Sequence, residues 1–180
     1  MGWSLSYQSP KEPELLEQFF VTIGKALYIA NQFEAKCHNV LRISNLLKYA
    51  KQTNDLDAAI RLVKELREPM LANALAALIS PLRISPEQVA ILEKAKDARN
   101  FIAHEGAAIG PVYLATSKII ERRLGELRDS VSHLADGDNL VSRWIYEIEE
   151  KEAAPRSFYE EYPSMLLAWV FATPGEWEAL

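Results

Sequence analysis

Ser85-Pro86-Glu87-Gln88-Val89-Ala90-Ile91-Leu92-Glu93-Lys94-Ala95-Lys96-Asp97-Ala98-Arg99-Asn100-Phe101-Ile102-Ala103-His104-Glu105-Gly106 is the stretch from which the rest of the chain is read. It opens as helices open. A serine hydroxyl can accept an orphan backbone N–H, a proline fills the first helical position where no donor is needed, and a glutamine three residues after the serine can reach back to it. The spacing predicts a helix from there to about His104 or Glu105. Gly106 is expected to supply a left-handed C-terminal turn, and Gly110-Pro111 marks the following loop.

On the N-terminal side, a polar lead containing Pro10 and Pro13 gives way at Glu14 to a long periodic segment reaching about Lys51. Leu16, Phe20, Ile23, Leu27, Ala30, Cys37, Leu41 and Ser44 recur at helical spacing and predict an amphipathic helix with that stripe turned inward. Lys51-Gln52-Thr53-Asn54 reads as a break, with Asn54 or Asp55 capping a second pattern from Leu56. Pro69 is expected to stop or kink it, leaving two pieces over 56–68 and 69–79, and Ser80 to Ile84 reads as a connector.

On the C-terminal side a helix is predicted over Tyr113 to Leu134, through Leu114, Ile119, Ile120, Leu124, Leu127 and Val131. Asp136-Gly137-Asp138-Asn139 is expected to break it. Val141, Trp144, Ile145 and Ile148 then favour helix, although Trp144, Tyr146 and Ile148 also alternate as in a strand. Beyond Pro155, Phe158, Tyr159, Tyr162, Trp169, Phe171 and Trp177 stand among prolines and a glycine, too apolar for a disordered linker. Irregular structure packed on the helices is expected there. The fold class is therefore all-α, an antiparallel helical bundle with a packed, partly irregular C-terminal extension. The division is a lead over 1–13, a helical domain over 14–135 and the extension over 136–180.

Composition limits what such a chain does. The 180 residues are 49% hydrophobic and 25% charged, with net charge −5, which suits a globular domain and opposes indiscriminate nucleic-acid binding through a broad basic surface. One cysteine precludes an internal disulfide, and three scattered histidines give no metal-binding pattern, so no metal and no cofactor is expected. No apolar run approaches a membrane span and the N-terminus lacks a signal-peptide pattern, so a cytoplasmic protein without membrane contact is expected.

Arg99, Asn100 and His104 resemble the signature of the HEPN superfamily, an all-α group defined by Arg, four to six residues, then His, often with a polar residue directly after the Arg. Here the spacer is four residues. The order of elements from Glu14 to Leu134 is similar to that family as well. The resemblance implies an HEPN-type ribonuclease that cuts RNA without a metal, the ribose 2′-OH attacking the neighbouring phosphate to leave a 2′,3′-cyclic phosphate. It implies His104 as acid/base, Arg99 as the electrostatic clamp on the phosphoryl group and Asn100 as the orienting residue. These residue types suit the reaction, because imidazole exchanges protons near neutral pH while guanidinium stays charged. A homodimer, a toxin or defence role and an antitoxin protein partner are further implications. In toxins silenced by nucleotidyltransferases a Tyr commonly lies two residues after the His; here that position is Gly106, which has no hydroxyl to modify.

On a regular helix Arg99 and His104 lie roughly 140° apart around the axis. Arg99 shares a side with Leu92, Ala95 and Ile102, whereas His104 and Asn100 share the polar side with Glu93 and Asp97. Convergence therefore requires a curled Arg99, an unwound helix end near Gly106 or a second subunit, which the resemblance favours. On the first helix Glu34 falls at the centre of the apolar stripe, with His38 and Asn31 within roughly 60° of it. An acid there needs a partner, and Arg99 is the expected one. Glu34, His38 and Asp97 are thus supporting candidates, and Lys118, Arg122 and Arg123 are candidate RNA contacts.

Plainer readings stand beside these. His104 is also an ordinary dipole-favoured C-terminal histidine, Arg99 a snorkelling structural arginine, and Lys118, Arg122 and Arg123 a solvated face. His38 and His133 read as packing or surface groups, and the tail aromatics as core or partner packing before base stacking. The rival functions are a catalytically silent HEPN-like module that binds a nucleotide, an RNA or a protein, and a helical assembly protein.

Overall fold

The computed structural model describes residues 9–66, 70–79 and 84–173. Seven α-helices follow one another among these residues: α1 (Pro13–Thr53), α2 (Leu56–Glu65), α3 (Leu71–Ile79), α4 (Pro86–His104), α5 (Ser117–Glu150), α6 (Arg156–Tyr159) and α7 (Tyr162–Phe171). A 3-10 turn, Val112–Leu114, precedes α5. No strand occurs among the described residues. No helix among them is long and apolar enough to cross a membrane. α1 and α5 are the two long struts; α4 packs along both, α2 and α3 pack on α1, and α7 lies against α5 and α1.

The start of α4 follows its sequence. Ser85 Oγ accepts from the Gln88 N–H at 3.3 Å and Gln88 Oε1 accepts from the Ser85 N–H at 3.0 Å, satisfying two donors at once. Asp55 caps α2 by accepting from the N–H groups of Asp57 and Ala58, and Asn54 takes the left-handed conformation that ends α1. The pieces expected on either side of Pro69 are α2 and α3. Pro69 itself and the Ser80 to Arg83 part of the connector lie outside the described residues.

The buried seam of α1 is Leu16, Phe19, Ile23, Ala26, Ala30, Phe33, Cys37 and Val40, in alternating steps of three and four. It is turned by about 50° from the expected stripe, half the step between successive residues. Phe20 and Leu27, expected inside, are exposed. The first half of α1 is apolar on more than one side, so periodicity alone could not choose the buried face. Glu34 accordingly lies on the flank of the buried face and not at its centre.

The expected break at Asp136-Gly137-Asp138-Asn139 is absent, because α5 runs through it. Two tertiary contacts override the poor helix propensity of these residues. A Cβ at Gly137 would collide with the Ala95 Cβ on α4 and lie 3.3 Å from the Phe33 ring on α1, so only glycine lets the three helices meet there. Asp138, 1% exposed, accepts from Lys36 Nζ at 3.0 and 2.8 Å and from the Tyr162 hydroxyl, while Lys36 also donates to Ser142 Oγ at 3.0 Å.

Residues 136–173 are largely helical where partly irregular structure was expected: α5 continues to Glu150, and α7 packs on α5 and α1. Lys25 Nζ donates to the carbonyls of Trp169 and Ala172 at the end of α7 and lies 5.5 Å from the Trp169 ring. Lys36, Arg128 and Arg143 stand over Tyr162, Phe171 and Tyr159, the last two at 4.2 Å. Cations of α1 and α5 thus meet aromatic faces of α6 and α7. Trp177 lies outside the described residues.

Gly106 does not supply a left-handed turn; among the described glycines only Gly110 has positive φ, 76°. The Gly106 N–H bonds to the Phe101 carbonyl at 2.8 Å, and a Cβ there would come within 2.9 Å of the Ile102 carbonyl oxygen. Close approach, not handedness, calls for glycine at this position.

A pair of glycine variants tests this packing. Gly137→Ala is expected to destabilise the fold by about 1–3 kcal/mol through overpacking. Gly125→Ala, where a Cβ meets nothing within 4 Å, is expected to stabilise it by up to about 1 kcal/mol through helix propensity. Thermal or urea unfolding of both checks the signs.

Candidate functional site

Arg99 projects from α4 into the seam against α1, on the flank of Leu92, Ala95 and Ile102. Its guanidinium is held at both ends. One Nη is ion-paired with Glu34 Oε2, and the other donates to Asn100 Oδ1 at 3.2 Å. The Nε is buried with no hydrogen-bond partner. The side chains of Arg99 and Glu34 are 19% and 24% exposed, drier than a surface pair. The Glu34–Arg99 pairing expected from sequence is therefore present. His38 stands one turn beyond Glu34 on α1, half-buried.

His104, the last residue of α4, is exposed, and its side chain makes no hydrogen bond or ion pair to the described residues. It does not meet Arg99: one side chain is drawn toward α1 and the other faces solvent. α4 stays regular to its end, so neither a curled Arg99 nor an unwound helix brings them together within one copy.

Asp97 is not at the Arg99 pair. It lies on the far side of α4, on an open groove of about 340 Å³ shared with Lys94, Ala98, Phe101, Ser130 and His133 between α4 and α5. His133, read from sequence as a packing or surface group, therefore faces α4 residues. Its placement becomes readable only once α4 and α5 are paired. Of the candidate RNA contacts, Lys118 and Arg122 are exposed, the latter 3.9 Å from Glu126. Arg123 is tied down: it donates to the Ala108 carbonyl at 2.9 Å, pairs with Glu126 at 2.8 Å and lies over the Phe101 ring. It pins the loop after α4 to α5.

The second polar cluster, Lys36, Asp138, Ser142 and Tyr162, was missed as a group. Its signal is the series Leu127, Val131, Leu134, Asp138 and Val141, in which an acid occupies a core position of α5. Burial foremost, with the charge of Asp138, pushes the Tyr162 hydroxyl well above the usual tyrosine range. Burial, then Asp138 and Glu34, likewise push the Cys37 thiol far up, keeping it a neutral core group. Among the described residues no group of three or more His, Cys, Asp or Glu side chains is placed to hold a metal ion.

Comparison with protein-family models, curated proteins and solved structures finds no match to this chain. The site therefore rests on its own geometry.

That geometry separates Glu34 from an ordinary acid. Glu34→Gln leaves Arg99 without its counter-charge and is expected to cost about 1–3 kcal/mol of stability. Glu12→Gln, at an exposed position, is expected to change nothing measurable. Equal denaturation midpoints for the two variants would show the pair to be energetically idle.

Proposed function

We propose that this chain is an RNA endonuclease of the HEPN kind, acting as a homodimer without a metal. The observation that most supports the reading is the set guanidinium of Arg99, gripped by Glu34 and Asn100 before any substrate arrives. A cation fixed in this way can stabilise charge building up on a phosphoryl group without reorganising as it reacts. In this reading His104, left open to solvent, takes the proton of the ribose 2′-OH as its oxygen attacks phosphorus. The departing 5′-oxygen takes up a proton, and the products are a 2′,3′-cyclic phosphate and a 5′-hydroxyl. Because Arg99 and His104 do not meet in one copy, the dimer brings motifs of two copies to one cleft. A toxin or defence setting, with a protein antitoxin as partner and the cytoplasm as compartment, belongs to the same proposal.

A second reading draws on the same pair. Glu34 already matches the charge of Arg99, and this favours a catalytically silent module in which the motif holds α1 to α4 and another surface binds nucleotide, RNA or protein.

Incubation with a mixed RNA pool in EDTA decides between them. The nuclease reading expects cleavage with 2′,3′-cyclic phosphate ends, reduced by about 10²–10⁴-fold in His104→Ala and strongly in Arg99→Ala. A folded dimer that leaves every RNA in the pool intact favours the silent module.

A further inference from the structure

The outward face of α1 carries an apolar arrangement that the described residues engage at one edge, where Tyr28 meets the Trp169 ring of α7 edge-on at 6.2 Å. Phe20, Val21, Leu27 and Tyr28 are 43%, 40%, 36% and 56% exposed, and they surround Gly24 at offsets of minus four, minus three, plus three and plus four. A Cβ at Gly24 would meet nothing within 4 Å, so no contact among the described residues asks for glycine in mid-helix, where it weakens the helix. From Gln18 to Phe33 the only charged residue is Lys25, and its ammonium is taken up by the end of α7. The face is thus apolar, uncharged and notched at its centre.

Its order is the same in both directions: aromatic, aliphatic, glycine, aliphatic, aromatic. A two-fold contact sets each residue of a patch against its mirror position in the same patch, so a sequence that reads alike both ways is self-complementary. We infer that the Phe20–Val21–Gly24–Leu27–Tyr28 face of α1 docks against the same face of a second copy of this chain, the two helices crossing antiparallel at Gly24. Phe20 of one copy then packs on Tyr28 of the other and Val21 on Leu27, while the paired glycines let the backbones close. Glu17 meets Asn31 at the rim, and no like charges are apposed.

The contrast within the molecule is Gly125 of α5, also mid-helix with nothing within 4 Å of a Cβ. At the same four offsets it has Glu121, Arg122, Arg128 and Asp129. The same antiparallel crossing there would set Arg against Arg and acid against acid. Of these two glycine-centred faces, it is the Gly24 face that suits a second copy.

Ile23, on the adjoining flank, has its Cδ1 3.3 Å from the Cβ position at Gly106, so the face lies beside the end of α4 that carries His104. This gives the dimer of the proposed function a surface, yet it rests on α1 alone. A dimer on this face that leaves RNA intact removes the nuclease and keeps the interface, whereas RNA cleavage by a monomer removes the interface together with the two-copy cleft and keeps the RNA-cleaving activity alone.

Analytical ultracentrifugation of the full chain from about 1 to 100 μM tests the association, since a dimer responds to protomer concentration. The wild type is expected to dimerise. Gly24→Leu and Leu27→Asp are each expected to weaken it at least about tenfold, as central interface changes do. Gly24→Leu raises helix propensity, and unchanged circular dichroism keeps loss of dimer distinct from loss of fold. Under mild oxidation, copies carrying Val21→Cys are expected to cross-link to copies carrying Leu27→Cys more readily than to their own kind. A monomeric wild type throughout this range, a dimer indifferent to both variants, or Val21→Cys copies linking best to themselves would overturn the inference.

Discussion

A carboxylate removed from water must be met by other charges or donors, and in this protein that requirement falls on Asp138. Its place in the core series of α5 leaves it 1% exposed, and its partners come from far along the chain, Lys36 on α1 and Tyr162 on α7. One buried acid thereby fixes three helices against one another. Apolar packing alone would tolerate α7 in several registers. The need to keep Asp138 paired narrows the choice, and the cations of α1 and α5 over Trp169, Phe171 and Tyr159 agree with the same register.

The same logic, in a wetter setting, organises the site. Arg99 and Glu34 are matched charges on the flanks of two helices that must pack, and pairing lets each flank approach the other. The motif histidine has no such tie. The protein thus separates a rigid cation from a free imidazole on one helix, and the geometry of α4 keeps them on different sides. Any chemistry that uses both has to bring in atoms from outside a single copy.

Much of the architecture was legible because its signals are local. The Ser85 capping box, the Asp55 cap and the all-helical character follow from neighbours a few residues apart. The pairing of Glu34 with Arg99 was legible for a different reason, an acid read at the centre of one apolar stripe and a base on the apolar side of another helix, although the structure sets Glu34 on the flank. Two features were hidden. Asp136 to Asn139 has the composition of a break, and what keeps it helical is Ala95, Phe33, Lys36 and Tyr162, none of them near in sequence. The buried side of α1 was misjudged because Phe20 and Leu27 are as apolar as Phe19 and Ala26, and only the partners of α1 separate the two sets.

The distribution of Asp138's partners along the chain has a consequence for how the protein is made. Lys36 precedes Asp138 by 102 residues, whereas Tyr162 follows it by 24. At a synthesis rate of about 5–20 residues per second, the ammonium is available throughout while the phenol arrives about one to five seconds later. For that interval a nascent bundle holds its buried acid with one partner, and the groove that will receive Leu166 and Val170 stands open. The helix that completes the core is also the one on whose arrival the growing chain must wait.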